Sequence, residues 1–486
     1  MNGFSRFRIL LTLAGMVFLT TILSAQTNFI YVNNDIAGPN SVSAFSVQSN
    51  GSLLPLPGSP FATGGTGQGI GFFATNLIVI SSTGNFLFAS NGGNHTVSAF
   101  AVNSGTGQLT TVPGSPFVAG VGSGLGLSLA VSPNGQFLFA GDDGSAYVAV
   151  FTIAGNGALS QIPGSPFETD ASDIDGMAVS PNGKLLAFAD PNGAIDIFSI
   201  AASGALLAVP GSPFETDLGR PTGLAFNNTG TVLYVGNFNV EDTEIEVFSV
   251  AANGFLAPIS GSPFSFASGR NSNIVLPSPD NRFLFVSNLL SNTITVLALS
   301  PGGTPTLLPG SPFGTGMNLL TEAVATDPLG NFLFVTGFSG EIDDPVSVFK
   351  IASNGTLTLV PGSPFSNSPG QIRTGITDSL PTPEFSICVA DSSGNRLLFD
   401  PIRGFFELQN CNSGLTAFGQ GRSFSEGCNI FFFEPLPNGF VKGAINTCGQ
   451  QGTGVFDGIP TGSGVVSVHG TILPITSCSC PLPNPS

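Results

Sequence analysis

One pentapeptide governs what this chain can become. Pro-Gly-Ser-Pro-Phe begins at Pro57, Pro113, Pro163, Pro210, Pro309 and Pro361, and a seventh copy begins at Ser260, where Ser replaces the first Pro. Consecutive copies lie about 50 residues apart. Such a period marks a propeller or solenoid, in which each repeat buries its faces only against its neighbours. Each period also holds a turn such as Ser132-Pro133-Asn134-Gly135, an apolar run such as Phe137-Leu138-Phe139-Ala140, and an alternating run such as Val97-Ser98-Ala99-Phe100. An Asn-Gly or Ser-Gly turn follows the alternating run. These signals read as four short strands, A to D, joined by turn chemistry.

Seven such units predict an all-β chain: a seven-bladed β-propeller of four-stranded antiparallel blades. Radial packing explains a composition that would otherwise be odd. Only 8% of the residues are charged and 42% are hydrophobic, against about 25% charged in ordinary soluble domains. A blade covered on both faces can be apolar on both, and the 44 Phe serve as wedges between blades. The prolines of the motif are expected to end the outermost strand, where a missing N–H costs little and edge pairing is discouraged. The first blade starts at Phe29-Ile30-Tyr31-Val32 with no innermost strand before it. Gln371–Thr377 falls where an eighth strand A would lie, and is predicted to close the ring by completing blade one.

Phe-Leu-Phe-Val-Ser-Asn at 283–288, Val-Leu-Tyr-Val-Gly-Asn at 232–237 and the Ser-Pro-Asn-Gly turns before such runs carry a family likeness. The repeat resembles the lactonase-like, YVTN-type propellers, across roughly residues 27–379. The resemblance implies a 6-phosphogluconolactonase-like fold and, in some members, lactone hydrolysis. Lactonases of this fold are similar in carrying Gly-Pro-Arg-His before an inner strand and Asn-Glu after the next. Here Arg220-Pro221-Thr222-Gly223 and Asn237-Phe238 stand at those places. Thr222 and Gly223 replace the Arg and His, Phe238 replaces the Glu, and Arg220 is displaced.

The ends of the chain read differently. Arg6 and Arg8 precede the apolar run Ile9–Leu23, and Leu23-Ser24-Ala25 resembles a cleavage site. Residues 1–25 are therefore expected to be a secretory signal peptide, since the run is shorter than the roughly 20 residues that span a bilayer. Residues 26–379 form the expected propeller. Leu380-Pro381-Thr382-Pro383 reads as a linker, and 380–486 as a small β module. All six cysteines, Cys388, Cys411, Cys428, Cys448, Cys478 and Cys480, lie there. In an exported chain they are expected to form disulfides, with 15 possible pairings; no CxxC pair supports zinc. The expected location is periplasmic, cell-surface or secreted, without a membrane span after cleavage.

Charge narrows the function. Twelve basic residues face 29 acidic ones, for a net charge of −17, which excludes nucleic acid as a partner. In a four-stranded blade the D–A and B–C connections share one face. More than half of the 29 acids fall in them, among them Asp142, Asp143, Asp190, Glu215 and Asp217. Loops on a rigid scaffold carry function, so this acidic face is the expected binding surface. Aligning the repeats puts Asn76, Leu127, Asp175, Thr222, Asn273 and Glu322 at one equivalent position, and the five polar ones form a candidate ligand-binding ring. Glu168, Asp170, Asp173 and Asp175 are the densest carboxylate run and a weak calcium candidate; otherwise no cofactor is expected. His95 reads as a solvated hairpin residue.

The main expectation is a monomeric, non-catalytic binding propeller whose acidic face takes a protein or small-molecule ligand. The alternative is a lactone hydrolase using Arg220, Arg270 or Arg373 with Asp175 or Glu322. A third is a structural envelope protein.

Overall fold

A computed structural model describes residues 28–35, 37–69, 76–121, 126–238, 242–317, 320–338, 345–366, 376–378, 387–400, 405–412, 416–420, 422–426, 429–436, 439–447, 452–461 and 464–473. Within them, seven antiparallel sheets succeed one another along the chain. Blade three is representative: strands A to D are Gly126–Val131, Phe137–Asp143, Tyr147–Ile153 and Leu159–Gln161. The innermost strands of blades two to seven are Ile78–Ile80, Gly126–Val131, Met177–Val179, Pro221–Phe226, Ser272–Pro277 and Leu320–Thr326. Each packs beside the next. The ring closes as expected: Ile376–Asp378 pairs antiparallel with Asn28–Asn33, with Val32 opposite Ile376 and Ile30 opposite Asp378. That strand also packs between the innermost strands of blades seven and two. Residues 371–375 of the predicted closing segment lie outside the described residues.

Strand alternation builds the core between blades. In strand B of blade three, Phe137 and Phe139 enter the core shared with blade four. Leu138 and Ala140, on the opposite face, enter the core shared with blade two. Successive side chains of a strand point to opposite faces, so one apolar run serves two interfaces. Seven such clusters, each drawn from two adjacent blades, run round the ring among the described residues. The one joining blades seven and one sets Phe334 and Val348 against Ile30 and Phe45. Truncating one such residue, for example Leu138→Ala, costs about 2–5 kcal/mol by cavity formation. The C–D turn glycines fit the same plan. Gly157 has φ +84°, and a Cβ there would overlap the ring of Phe86 on the preceding blade.

The pentapeptide does more than end strand D. In blade three, Ile162-Pro163-Gly164-Ser165 is a β-turn in which the Ser165 N–H donates to the Ile162 carbonyl at 3.1 Å. Pro suits its second position, and Gly164, at φ +89°, suits the third. The Ser165 hydroxyl oxygen then accepts the Val150 N–H of strand C at 2.9 Å. The same bond, 2.8–3.0 Å long, recurs at Ser59, Ser115, Ser212, Ser262, Ser311 and Ser363. The Ser–Pro peptide that follows is cis in all seven copies. Phe167 next pairs with Val148 on the same edge of strand C. The expected four strands, A to D, are present in every blade and are extended. In blades one to six a short fifth strand continues the edge that D has left, and in blade seven a single Val346–Phe365 bridge does so. The serine fills the gap in the ladder between them.

A separate nine-stranded antiparallel sheet follows. Its first strand, Ile387–Ala390, pairs with its last, Gly464–Leu473, through Cys388 opposite Leu473. Val389, Leu397, Phe406, Ile445, Phe456 and Val468 come from both halves of the sheet and share one core. Cys388 and Cys411 are each disulfide-bonded; Cys428, Cys448, Cys478 and Cys480 lie outside the described residues, as does the expected signal segment 1–25. Among the described residues no helix is long and apolar enough to cross a membrane.

Candidate functional site

Chemistry-bearing residues converge on the loop face of blades two to five. Strand B of blade three runs out of its apolar stretch into Asp142 and Asp143. Both are buried, and strand pairing sets Asp142 opposite Leu127. The next D–A loop supplies Asp173, partly exposed, and Asp175, fully buried. The Asp175 N–H donates to the Ala189 carbonyl at 3.2 Å, which fixes it at the head of the inner strand of blade four. One loop further round, Arg220 places Nη2 3.5 Å from Asp175 Oδ2.

Arg220 has a built seat. Its N–H donates to Asn237 Oδ1 at 3.0 Å, and its carbonyl accepts the Phe238 N–H at 2.8 Å. Its guanidinium lies 5.1 Å from the centre of the Phe238 ring. Asn237 is itself held by donating to Glu244 Oε2 at 2.7 Å. From blade two, His95 sits in a left-handed turn conformation at φ 51°. Its Nδ1 lies 3.6 Å from Asp142 Oδ1.

Burial and mutual repulsion govern the charge state. Asp143 is pushed up to about 7, first by burial and then by the negative charges of Asp173 and Asp142, with Arg220 opposing. Asp175 is pushed up to about 8, again first by burial and then by Asp143, with Arg220 opposing. Burial also raises Asp173. Asp143 is only 4% exposed, and its Oδ2 meets no hydrogen-bond donor among the described residues. Near neutral pH the Asp143–Asp175 pair therefore holds about one proton, because two buried carboxylates resist ionising together. A carboxylate, a carboxylic acid and a guanidinium are gathered in one place. Such a set can take a proton, return one, and stabilise a developing oxyanion.

The sequence-derived candidates divide. Asp175 and Arg220 meet. Arg270 is exposed, its N–H donating to Ser291 Oγ at 3.0 Å. Glu322 is buried in the inner strand of blade seven, and Arg373 lies outside the described residues. The equivalent-position ring has a structural basis. Thr222, Asn273 and Glu322 each fall within a register irregularity of their inner strands, a device that re-aims side chains. Two of the polar members are used within the fold: Thr222 Oγ1 donates to the Asn273 carbonyl at 3.0 Å, and Asn76 Nδ2 to the Met177 carbonyl at 2.7 Å. The calcium quartet is corrected. Glu168 is exposed on the fifth strand opposite Tyr147, Asp170 acts on Asp196, Asp173 accepts the Gly144 N–H, and Asp175 lies beside Arg220. Among the described residues no three His, Cys, Asp or Glu are gathered as a metal requires.

Sequence reasoning placed Asp142 and Asp143 on the acidic face without singling them out as site residues and gave Asn237 no role, and His95, expected to be solvated, is only partly exposed with its Nδ1 buried against Asp142. The available signal was the pair of acids at the end of an otherwise apolar strand B. The repeats themselves sharpen it. At the position equivalent to Asn91, which ends strand B of blade two, four blades carry a buried amide: Asn34, Asn91, Asn237 and Asn288. Blades three and four carry Asp142 and Asp190 instead. One position in strand C behaves alike: Ser43, Ser98, Thr295 and Ser347 in four blades, but Asp196 and Glu246 in blades four and five.

A family model described as "Lactonase, 7-bladed beta-propeller" matches residues 23–167 and 177–373. No curated protein sequence matches the chain significantly. Among solved structures, a Bacteroides fragilis protein solved as a candidate 6-phosphogluconolactonase is 19% identical with a TM-score of 0.58, covering 73% of this chain and 99% of that one. The Pseudomonas aeruginosa periplasmic gluconolactonase is 17% identical with a TM-score of 0.58, over the same shares. A Lactobacillus plantarum protein is 15% identical with a TM-score of 0.56, covering 72% and 99%. At these identities the likeness concerns the fold.

Proposed function

This chain belongs to the seven-bladed β-propeller lactonase family, and on that premise we propose that it hydrolyses a lactone at the Asp143–Asp175–Arg220 cluster. Family membership favours this reading over the binding propeller expected from the acidic face alone. The observation that carries it is the meeting of two buried carboxyls and one seated guanidinium in a single cluster.

The chemistry needs only water and the lactone. The ionised carboxyl of the pair takes a proton as water attacks the lactone carbonyl. Arg220 and the protonated carboxyl face the oxyanion that forms. When the ring C–O bond breaks, the ring oxygen receives a proton from the pair, which returns to its starting state. The product is one hydroxy acid, which ionises and releases a proton to solvent. Acid release above the spontaneous rate is therefore the test. It should be measurable with the purified chain on gluconolactone and fall at least tenfold in Arg220→Ala. An unchanged rate in that variant, or no rate above the blank, would refute the assignment.

We also propose export and disulfide stapling of the C-terminal sheet. The reading of Met1–Ala25 as a signal and the disulfide-bonded state of Cys388 and Cys411 both fit an oxidising compartment. N-terminal sequencing of the mature protein, expected to begin near Gln26, tests the export.

A further inference from the structure

We infer that Asp196 and Glu246 form a pH-sensitive latch beneath the two D–A loops that carry Asp175 and Arg220. Protonated, each carboxyl holds its loop against the blade; ionised, it lets the loop open. The inference concerns loop anchoring and stands whatever reaction the site performs.

The repeats show what this strand C position does elsewhere. In blades two and seven, Ser98 and Ser347 donate to the carbonyls of Thr63 and Thr315, at 2.8 and 2.6 Å. In blade six, Thr295 donates to the Ser268 carbonyl at 3.4 Å. Each hydroxyl thereby ties down the D–A loop that enters its own blade. Asp196 and Glu246 take this position in blades four and five, and both are 1% exposed.

The loops above them depart from the repeat as well. Phe167-Glu168-Thr169-Asp170 and Phe214-Glu215-Thr216-Asp217 begin the loops entering blades four and five. The loops entering blades two, three and seven carry Gly64, Gly120 and Gly316 where these carry Asp170 and Asp217. The Asp217 N–H donates to Glu246 Oε2 at 3.1 Å, and Asp170 acts on Asp196. In these two blades an acid on strand C thus faces an acid on the loop.

Ionisation works against this arrangement. A carboxyl can replace a hydroxyl as donor only while it is protonated. The charged groups that act on Asp196 are Asp190 and Asp170, and those that act on Glu246 are Asp217 and Glu244, all of them acids. Burial first, and these acids after it, push both carboxyls up to about 7, with the Asp217 N–H opposing at Glu246. Asp190 accepts both the N–H and the hydroxyl of Ser172 on the loop, so an ionised Asp196 repels a group that holds the loop. In an opened loop the carboxyls meet water and regain ordinary values near 4. Opening is therefore favoured about tenfold per pH unit for each carboxyl between about pH 4 and 7, and levels off above.

Hydrogen exchange of the full chain between pH 5 and 8, corrected for the intrinsic rate, tests the latch. Protection of residues 216–220 should fall at least tenfold from pH 5 to 7. The loop Phe61–Gly67, tied by Ser98, is the internal control and should keep its protection. Glu246→Gln should abolish the fall at 216–220. Asp196→Asn should reduce the fall at 169–175, where Asp175 also titrates. An equal fall in Phe61–Gly67, or no fall at 216–220, would overturn the inference in the unaltered chain, whether or not the variants fold. A fall that Glu246→Gln and Asp196→Asn leave unchanged would overturn it too.

Discussion

Asp143 and Asp175 hold their protons more tightly in the folded chain than an ordinary carboxyl does, and so does Asp196. Asp196 is 1% exposed, its Oδ2 has no hydrogen-bond partner among the described residues, and it is pushed up to about 7 by burial and by Asp190 and Asp170. The sign for stability follows. These pKa values are raised above the unfolded value near 3.9, so between about pH 4 and 8 the native state binds more protons than the unfolded one. Stability is then greatest at the acid end of that window and falls as pH rises through the folded values. The melting temperature should drop between pH 5 and pH 8.5, and Asp196→Asn should flatten the drop. A melting temperature that rises over this range would contradict it. At the same scale, Asp143→Asn and Asp175→Asn should each lower kcat/KM for lactone hydrolysis by about 10²-fold or more, the usual cost of losing general acid–base help.

The motif serine shows what an element can hide. Its place in a turn was legible, because Pro-Gly followed by Ser-Pro punctuates any strand pattern. Its partner was not, since the accepted N–H lies fifteen residues upstream on strand C (Ser165 and Val150) and no local pattern signals it. Ser165→Ala should leave that N–H without its acceptor, at about 1–3 kcal/mol. A fall of a few degrees in melting temperature, with activity per folded molecule retained, is the expected result. The inner-strand irregularities were hidden for a related reason. Alternation predicts which face a residue takes only while register holds, and at Thr222, Asn273 and Glu322 it shifts.

On the scale of the whole molecule, closure depends on three residues contributed from late in the chain. Thr377 pairs with Tyr31 in the strand that joins blades seven and one. Thr377→Pro removes a backbone donor from an inner strand and should lower the melting temperature well beyond the effect of Ser165→Ala; an equal or smaller effect would show the closing strand to be dispensable. The ring, its blade number and this closure were legible because a repeat reports its own architecture. The loop face was legible too, from the rule that D–A and B–C connections share a side. What sequence could not supply was the position around the ring. Asp143, Asp175 and Arg220 come from three different connections, and only the assembled blades show that they act on one another while Glu168 stays exposed on the fifth strand. The central claim is that this meeting hydrolyses lactones, and the pH profile of kcat/KM for gluconolactone tests it most directly. The account predicts a maximum between about pH 7 and 8, bounded by the shared proton of Asp143 and Asp175, and lost in Asp143→Asn. Hydrolysis no faster than the blank, or a profile that Asp143→Asn leaves unchanged, would contradict it.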